Sequence, residues 1–398
     1  MLKSQKPHIG IFGRRNVGKS SIINAITGQE IAIVSPVPGT TTDTVTKTME
    51  ITGVGPVVIT DTAGIDDEGE LGRKRVARTE RTLDLIDLGV IVISHNQFGE
   101  FESKVAAELG RRGTPFFVLH NKSDLAPLTD STRDHLTKNF DAAALDFSAI
   151  HPTNYEELIA IIQKTMPESS YRRQSILGDL VTKGDIVLMV APVDAETPEG
   201  RLILPQVQAI RDCLDNDCTA IVTKDPDVRI LLENMRTPPR IVVTDSQAFE
   251  KVSASVPDHI PMTSFSILYA RLKGDFEKFR EGTPAISKLC DNDRVLILES
   301  CSHHVIGDDI GRVKLPRWLT QFTGKKLDFE TVAGTDLPGK EIGDYKLVIQ
   351  CGGCMLTRKQ VNMRIRPAIE RGVPVTNYGM AIAWCFGIYN RAMEPFKE

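Results

Sequence analysis

The stretch His8-Ile9-Gly10-Ile11-Phe12, running into Gly13-Arg14-Arg15-Asn16-Val17-Gly18-Lys19-Ser20, decides how the first third of this chain folds. A short apolar run ends in a loop bounded by glycines, and Ser21 to Ile26 continues at helical spacing. Strand, loop and helix in that order aim backbone N–H groups and a helix N-terminus at phosphates. Gly13 and Gly18 let the backbone close around them, Lys19 reaches the two terminal phosphates, and Ser20, with Ser21 beside it, offers its hydroxyl to Mg²⁺.

The other nucleotide motifs follow in order. Phe116 to His120 reads as a buried strand delivering Asn121-Lys122-Ser123-Asp124. The Asp124 carboxylate can accept from guanine N1–H and the exocyclic amine together, a pair that adenine lacks. Ser148-Ala149, after Leu145 to Phe147, places backbone donors near guanine O6. Asp61-Thr62-Ala63-Gly64 follows the strand Val57 to Thr60; Asp61 orders Mg²⁺ through water and the Gly64 N–H senses the γ-phosphate. Pro38 to Asp43 lies between helix and next strand, with Thr41 as a second Mg²⁺ ligand.

On these motifs residues 7–166 resemble the translation-factor-like GTPases, in the branch that holds Era and the tRNA-modifying GTPase MnmE. Ile65 stands after Gly64, where Ras-like proteins carry the glutamine that orients water, so intrinsic hydrolysis is expected to be slow. The resemblance implies that Asn16 ligates K⁺, which supplies positive charge in place of an arginine finger. The expectation is a K⁺-stimulated GTPase that binds GTP, GDP and Mg²⁺, with Lys19, Asn16, Thr41 and Gly64 at the reacting phosphate.

With 398 residues, 41% hydrophobic and 25% charged, the chain is globular and long enough for two or three cores. A net charge of −4 argues against a nucleic-acid protein held by bulk electrostatics. The apolar stretches are too short to span a bilayer. Met1 to Pro7 has no apolar leader core, so a cytoplasmic location is expected. Seven cysteines, an odd number, favour metal binding or buried thiols over a disulfide framework.

After the polar connector Glu168 to Arg173, apolar runs at Ile186 to Val190, Thr219 to Thr223 and Ile241 to Thr244 alternate with helix-like stretches at Gln206 to Leu214, Asp227 to Met235 and Ser246 to Val252. That alternation predicts another parallel sheet. Asp185, Asp194, Glu196 and Glu199 suit turns and helix starts, and Cys213 and Cys218 read as half-buried thiols. A sheet without chemistry of its own is a candidate for self-association.

Ile267 to Arg280 reads as one helix and Gly282-Thr283-Pro284 as a boundary. The strand Arg294 to Leu298 then leads to Cys301-Ser302-His303-His304, and Tyr345 to Ile349 leads to Cys351-Gly352-Gly353-Cys354; Leu315 to Phe322 and Thr357 to Arg371 read as helices. In an open parallel sheet the carboxyl ends of strands border one crevice, so three thiolates can meet there. A redox dithiol needs only two of them. Zinc would accept Cys301, His303, Cys351 and Cys354. A 4Fe-4S cluster would take the three cysteines and leave one iron weakly held, and unligated core cysteine is the remaining option. Cys290, Cys385 and the apolar stretch Ala381 to Ile388 read as packing residues. Arg358, Lys359, Arg364 and Arg366, with Arg312, Lys314 and Arg317, suggest a basic rim that could attract an anion or an acidic partner.

Cys-x-His, a long spacer and Cys-x-x-Cys, joined to an MnmE-like GTPase, resemble the HydF family of FeFe-hydrogenase maturation GTPases over the whole chain. The resemblance implies that Cys301, Cys351 and Cys354 hold a 4Fe-4S cluster, that the middle domain makes a homodimer, and that the protein carries a diiron precursor. Its implied partners are the immature FeFe-hydrogenase and the radical-SAM maturases HydE and HydG. Gln350 stands where some members have a histidine, a departure that weakens a histidine as fourth ligand; His303 is the candidate that remains and Asp308 the alternative.

The expected fold is three α/β domains: an Era/MnmE-like P-loop GTPase domain (1–170), then two smaller parallel-sheet domains for dimerisation (171–281) and for the cluster (282–398). The alternatives are an RNA- or ribosome-associated GTPase with structural zinc and a redox-sensing GTPase.

Overall fold

The computed structural model describes residues 6–27, 45–61, 82–152, 154–167, 174–192, 202–300, 309–334, 336 and 338–397. Thr41, Gly64, Cys301, His303 and Asp308 lie outside the described residues, as do Ile65, Asp194, Glu196, Glu199 and the connector at 168–173. The chain forms two compact units, Met1–Arg173 and Gln174–Glu398.

The described part of the first unit holds a sheet of β1 (His8–Phe12), β2 (Val45–Ile51), β3 (Gly55–Asp61), β4 (Leu88–Ser94), β5 (Phe116–Asn121) and β6 (Ala144–Asp146). Its order is β2-β3-β1-β4-β5-β6, with β2 antiparallel to β3 and every other pair parallel. Alternate residues serve opposite faces. Ile9, Ile11, Val90, Val92, Phe117 and Leu119 pack in one core, whereas Phe12, Ile91, Ile93 and Val118 pack in another. Burial on both faces is why these strands read as continuous apolar runs. Because β1 lies between β3 and β4, the carboxyl ends of β1, β3 and β5 open on one edge.

The second unit carries two fully parallel sheets among its described residues. One is ordered β10-β9-β7-β8, from β7 (Ile186–Val190), β8 (Thr219–Thr223), β9 (Ile241–Thr244) and β10 (Met262–Ser264). The other is ordered β12-β11-β13-β14, from β11 (Arg294–Leu298), β12 (Asp328–Val332), β13 (Leu347–Gln350) and β14 (Val375–Asn377). Val190 and Val242 of the first share a hydrophobic core with Val295, Ile297 and Val348 of the second. The helix Tyr378–Cys385 is buried from Tyr378 through Ala383, as a helix between two layers must be. Among the described residues no helix is long and apolar enough to cross a membrane.

Local chemistry explains where expectation and structure part. The helix expected over Ile267 to Arg280 is two, Phe265–Lys273 and Phe276–Gly282. Asp275 caps the second by accepting from the Lys278 N–H, and the chain turns at Gly274. The core helix expected over Ala381 to Ile388 begins earlier and stops before Gly387, which has φ +71°. Cys213 and Cys218 are buried, not half-buried, and burial pushes the Cys213 thiol up to about 11. Cys290 is exposed in a turn, where its N–H donates to Asp293, so it is not a packing residue. Cys385 is half-buried, with its thiol pushed up to about 12 by burial.

Gly282 is pressed against β14: a Cβ there would sit 2.1 Å from the Val375 carbonyl oxygen and 2.7 Å from its nitrogen. Gly282→Ala must push β14 away from the helix Phe276–Gly282. Overpacking of this kind costs about 1–3 kcal/mol, so the urea midpoint of the carboxyl-terminal unit should fall, as followed by Trp318 and Trp384 fluorescence.

Candidate nucleotide pocket and cysteine turn

The phosphate loop has the backbone that its sequence demands. Gly13 and Gly18 take φ +155° and +92°, and exposed Asn16 takes φ +64°. A Cβ on Gly18 would lie 2.3 Å from Asn121 Nδ2, so only glycine allows that approach. Ser20 and Ser21 lie in the first turn of the helix Lys19–Thr27. Lys19 Nζ donates to the carbonyls of Gly13 (2.7 Å) and Arg14 (2.9 Å), which curls its ammonium over the loop.

Asn121 joins the separated motifs. Its Nδ2 donates to the Val17 carbonyl at 2.8 Å, and its Oδ1 accepts the Ala149 N–H at 3.1 Å. The phosphate loop, the end of β5 and the Ser148-Ala149 turn are thereby held by one buried side chain. Ser148 Oγ donates to Asp124 Oδ1 at 2.6 Å and holds that carboxyl below its ordinary range. Asp124 is kept as an anion, which only accepts, as guanine N1–H requires. Lys122 has φ +63° at the bend between Asn121 and Asp124.

Asp61, at the end of β3, is buried, and its Oδ1 has no hydrogen-bond partner among the described residues. Burial raises its pKa against the opposing charges of Lys19 and Lys47. A buried carboxylate oxygen lacking a donor, on the edge that carries Lys19, fits a hydrated Mg²⁺. One contact escaped the sequence reading: Arg14 Nε and Nη2 each lie 3.0 Å from a different oxygen of Glu102. Glu102, 1% exposed, also accepts the Gly99 N–H at 2.8 Å. The spacing of Gly99 and Glu102 is a helix-start signal, but nothing in it names Arg14.

In the second unit the cysteine turn grows from adjacent strands. β11 and β13 pair in parallel with Leu298 opposite Gln350, and the Cys351 N–H donates to the Leu298 carbonyl at 3.0 Å. Ser300, the residue before Cys301, gives Cys351 Sγ its backbone N–H at 3.1 Å, and its hydroxyl oxygen lies 2.8 Å from that sulfur. Burial pushes the Cys351 thiol up, while the Ser300 hydroxyl and the Gly353 N–H pull it down. Gln350, in place of the histidine, is buried, with Nε2 3.4 Å from Ser300 Oγ and 3.2 Å from the Cys351 carbonyl. Gly353 turns the chain with φ +69°, and Thr357 caps the helix Arg358–Glu370 behind Cys354.

Two cations lie beside this turn, Lys273 buried and Arg364 half-buried. Arg364 donates to the carbonyls of Glu299 (2.8 Å) and Val332 (3.1 Å), and burial lowers its pKa against the charge of Cys351. Lys273 donates to three carbonyls of the turn, and burial pushes its ammonium down to about 8. The expected basic rim is largely tied within the fold. Arg312 pairs with Glu299 at 3.1 Å, Lys314 reaches Gln247 at 2.9 Å, Arg366 pairs with Glu370 at 2.6 Å and Arg358 reaches Gln174 at 3.3 Å. Among the described residues no group of three His, Cys, Asp or Glu side chains is placed to hold a metal. Cys351 and Cys354 lie on one turn, and Cys301, His303 and Asp308 are outside the described residues.

Residues 176–274 match the hydrogen maturase F dimerization domain and residues 277–395 match the hydrogen maturase F tetramerization domain. The chain belongs to the hydrogen maturase F family. Residues 8–122 match the 50S ribosome-binding GTPase family, so a GTPase domain precedes the two hydrogen maturase F segments. The tRNA modification GTPase MnmE of Nitrosomonas europaea is 35% identical over 157 residues, covering 39% of this chain and 34% of that protein. GTPase Der of Heliobacterium modesticaldum is 35% identical over 165 residues, covering 40% and 36%. The chain thus spans about a third of the length of these curated relatives. A structure of Aquifex aeolicus Era bound to GDP.AlF4- aligns with 24% identity and a TM-score of 0.37, over 41% of this chain and 58% of that one. The cysteine turn falls in the segment described as a tetramerization domain, a role that the sequence reading did not foresee.

Because Asn121 braces the pocket, Asn121→Ala removes the partner that its side chain gives the Val17 carbonyl and the Ala149 N–H. An unsatisfied buried group costs about 1–3 kcal/mol. The GDP affinity should weaken about tenfold or more in a fluorescent-nucleotide titration, and the amino-terminal unit should melt earlier.

Proposed function

We propose that this protein is a GTP-hydrolysing scaffold or carrier that holds a 4Fe-4S cluster and assembles or delivers the diiron unit of FeFe-hydrogenase in the cytoplasm. One observation supports the metal part: Ser300, the residue that precedes Cys301 in the sequence, lies against the Cys351 sulfur of the Cys-x-x-Cys turn. Membership of the hydrogen maturase F family supports the maturation role. Cys301, Cys351 and Cys354 are the proposed ligands, with His303 or Asp308 at the fourth position. A thiolate-bound cluster would supply an iron site to which a further metal unit can attach.

In the GTPase domain we assign the phosphates to the loop from Gly13 to Ser21, Mg²⁺ to Ser20, Thr41 and Asp61, and guanine to Asn121, Lys122, Asp124, Ser148 and Ala149. Asn16 is the proposed K⁺ ligand and Gly64 the γ-phosphate sensor. Residues 176–274 are the proposed homodimer module, and the edge strand β8 with Val222 exposed, beside Leu214 exposed on the helix Leu204–Asp215, suits that task. The hydrogenase precursor and the radical-SAM maturases HydE and HydG are the proposed partners. Coupling hydrolysis to delivery requires that GTP and GDP states differ in their contacts with the cluster domain or a partner.

Anaerobically purified protein should contain iron and sulfide and, once reduced, show a 4Fe-4S electron paramagnetic resonance signal that Cys351→Ser removes or alters. Zinc without sulfide would favour the structural-clip alternative. GTP turnover should be faster in K⁺ than in Na⁺; equal rates would remove Asn16 from ion binding.

A further inference from the structure

Lys273 ends the helix Phe265–Lys273, yet its side chain is only 6% exposed. Its ammonium donates to the carbonyls of Gly353 (3.0 Å), Cys354 (3.2 Å) and Leu356 (2.7 Å), and lies 5.3 Å from the centre of the Tyr269 ring. Carbonyl oxygens and a ring face solvate a cation without cancelling its charge. No carboxylate is among its partners in the described residues. Buried lysines are rare unless paired, and an apolar side chain of similar volume would fill the space without desolvating a charge. The carbonyls that it holds belong to the turn that carries Cys351 and Cys354.

The same helix is the floor of the turn. A Cβ on Gly352 would touch Ser266 and Tyr269 at 3.6–3.7 Å, and Asn362 Nδ2 donates to the Lys273 carbonyl at 3.4 Å. Three bonds from one ammonium fix the backbone of residues 353–356, where the Leu356 N–H also donates to the Gly353 carbonyl at 3.0 Å. Lys273 lies in the segment matched by the dimerization domain, whereas the turn lies in the segment matched by the tetramerization domain.

We propose that Lys273 is the positioning residue and counter-charge of the cysteine turn: it fixes residues 353–356 and supplies the buried positive charge that the thiolates, and a cluster bound by them, require. The counter-charge half rests on the cluster reading above. The positioning half does not. Thiolate-bound clusters are anionic and gain a further negative charge on reduction, so a fixed cation nearby favours the reduced form. Lys273→Met removes the charge at similar length, and Lys273→Arg keeps it.

The full chain and both variants are reconstituted anaerobically with ferrous iron and sulfide, and midpoint potentials are read by spin resonance during dithionite titration. Lys273→Met should shift the midpoint to more negative values, with Lys273→Arg restoring most of the shift. Equal midpoints in all three overturn the counter-charge. In metal-free protein, amide hydrogen exchange over residues 353–357 should be several-fold faster in Lys273→Met and slow again in Lys273→Arg; parent-like exchange overturns the positioning role. If the unsubstituted chain takes up no iron and sulfide, the counter-charge half falls with the cluster reading, and the exchange experiment alone judges the positioning half. If Lys273→Met does not fold by circular dichroism, Lys273→Gln, neutral and polar, is measured in its place.

Discussion

Parallel pairing of β11 with β13 is the constraint on which the carboxyl-terminal unit depends. Parallel strands end on the same side, so the turn after one is a neighbour of the turn after the other. With Leu298 opposite Gln350, the bond from the Cys351 N–H to the Leu298 carbonyl extends the ladder by one residue, and Ser300 then meets the Cys351 sulfur. A slip of one residue would turn the alternating side chains to the other face. The buried sets on both faces of these strands hold the register.

The amino-terminal unit solves the same geometric problem with one side chain. Its loops after β1 and β5, and the turn after β6, reach one edge of the sheet, but an edge does not fix loops. Asn121 does so by using both ends of its amide, a donor toward Val17 and an acceptor toward Ala149. Arg14 and Glu102 add a second tie on the other flank of the phosphate loop. Both ties involve buried groups, where hydrogen bonds are stronger and broken ones dearer than in water.

The two parallel sheets of the second unit behave as one packed body because the helix Tyr378–Cys385 has no polar face. It must be covered all round, and residues of both sheets join it in a common core. That shared core explains how a lysine on a helix of one module can sit beneath the cysteine turn of the other.

The sequence by itself determined the periodic and the local. β11 runs from Arg294 to Leu298 as its apolar run implies, and the helix Arg358–Glu370 lies between the Thr357 and Arg371 caps that frame the expected stretch. The phosphate loop and the Asn121 to Asp124 motif were legible because phosphate and guanine need particular atoms at short chain separations. Short strands such as β12 and β14 were not, since Asp328-Phe329-Glu330-Thr331-Val332 and Val375-Thr376-Asn377 carry little pattern and become strands only against β11 and β13. The Arg14–Glu102 tie, the Asn121 brace and the burial of Lys273 were decided by tertiary structure alone. Each includes a bond between residues 80 or more positions apart, and no local spacing encodes which distant partner a long polar side chain will meet once the sheets have packed.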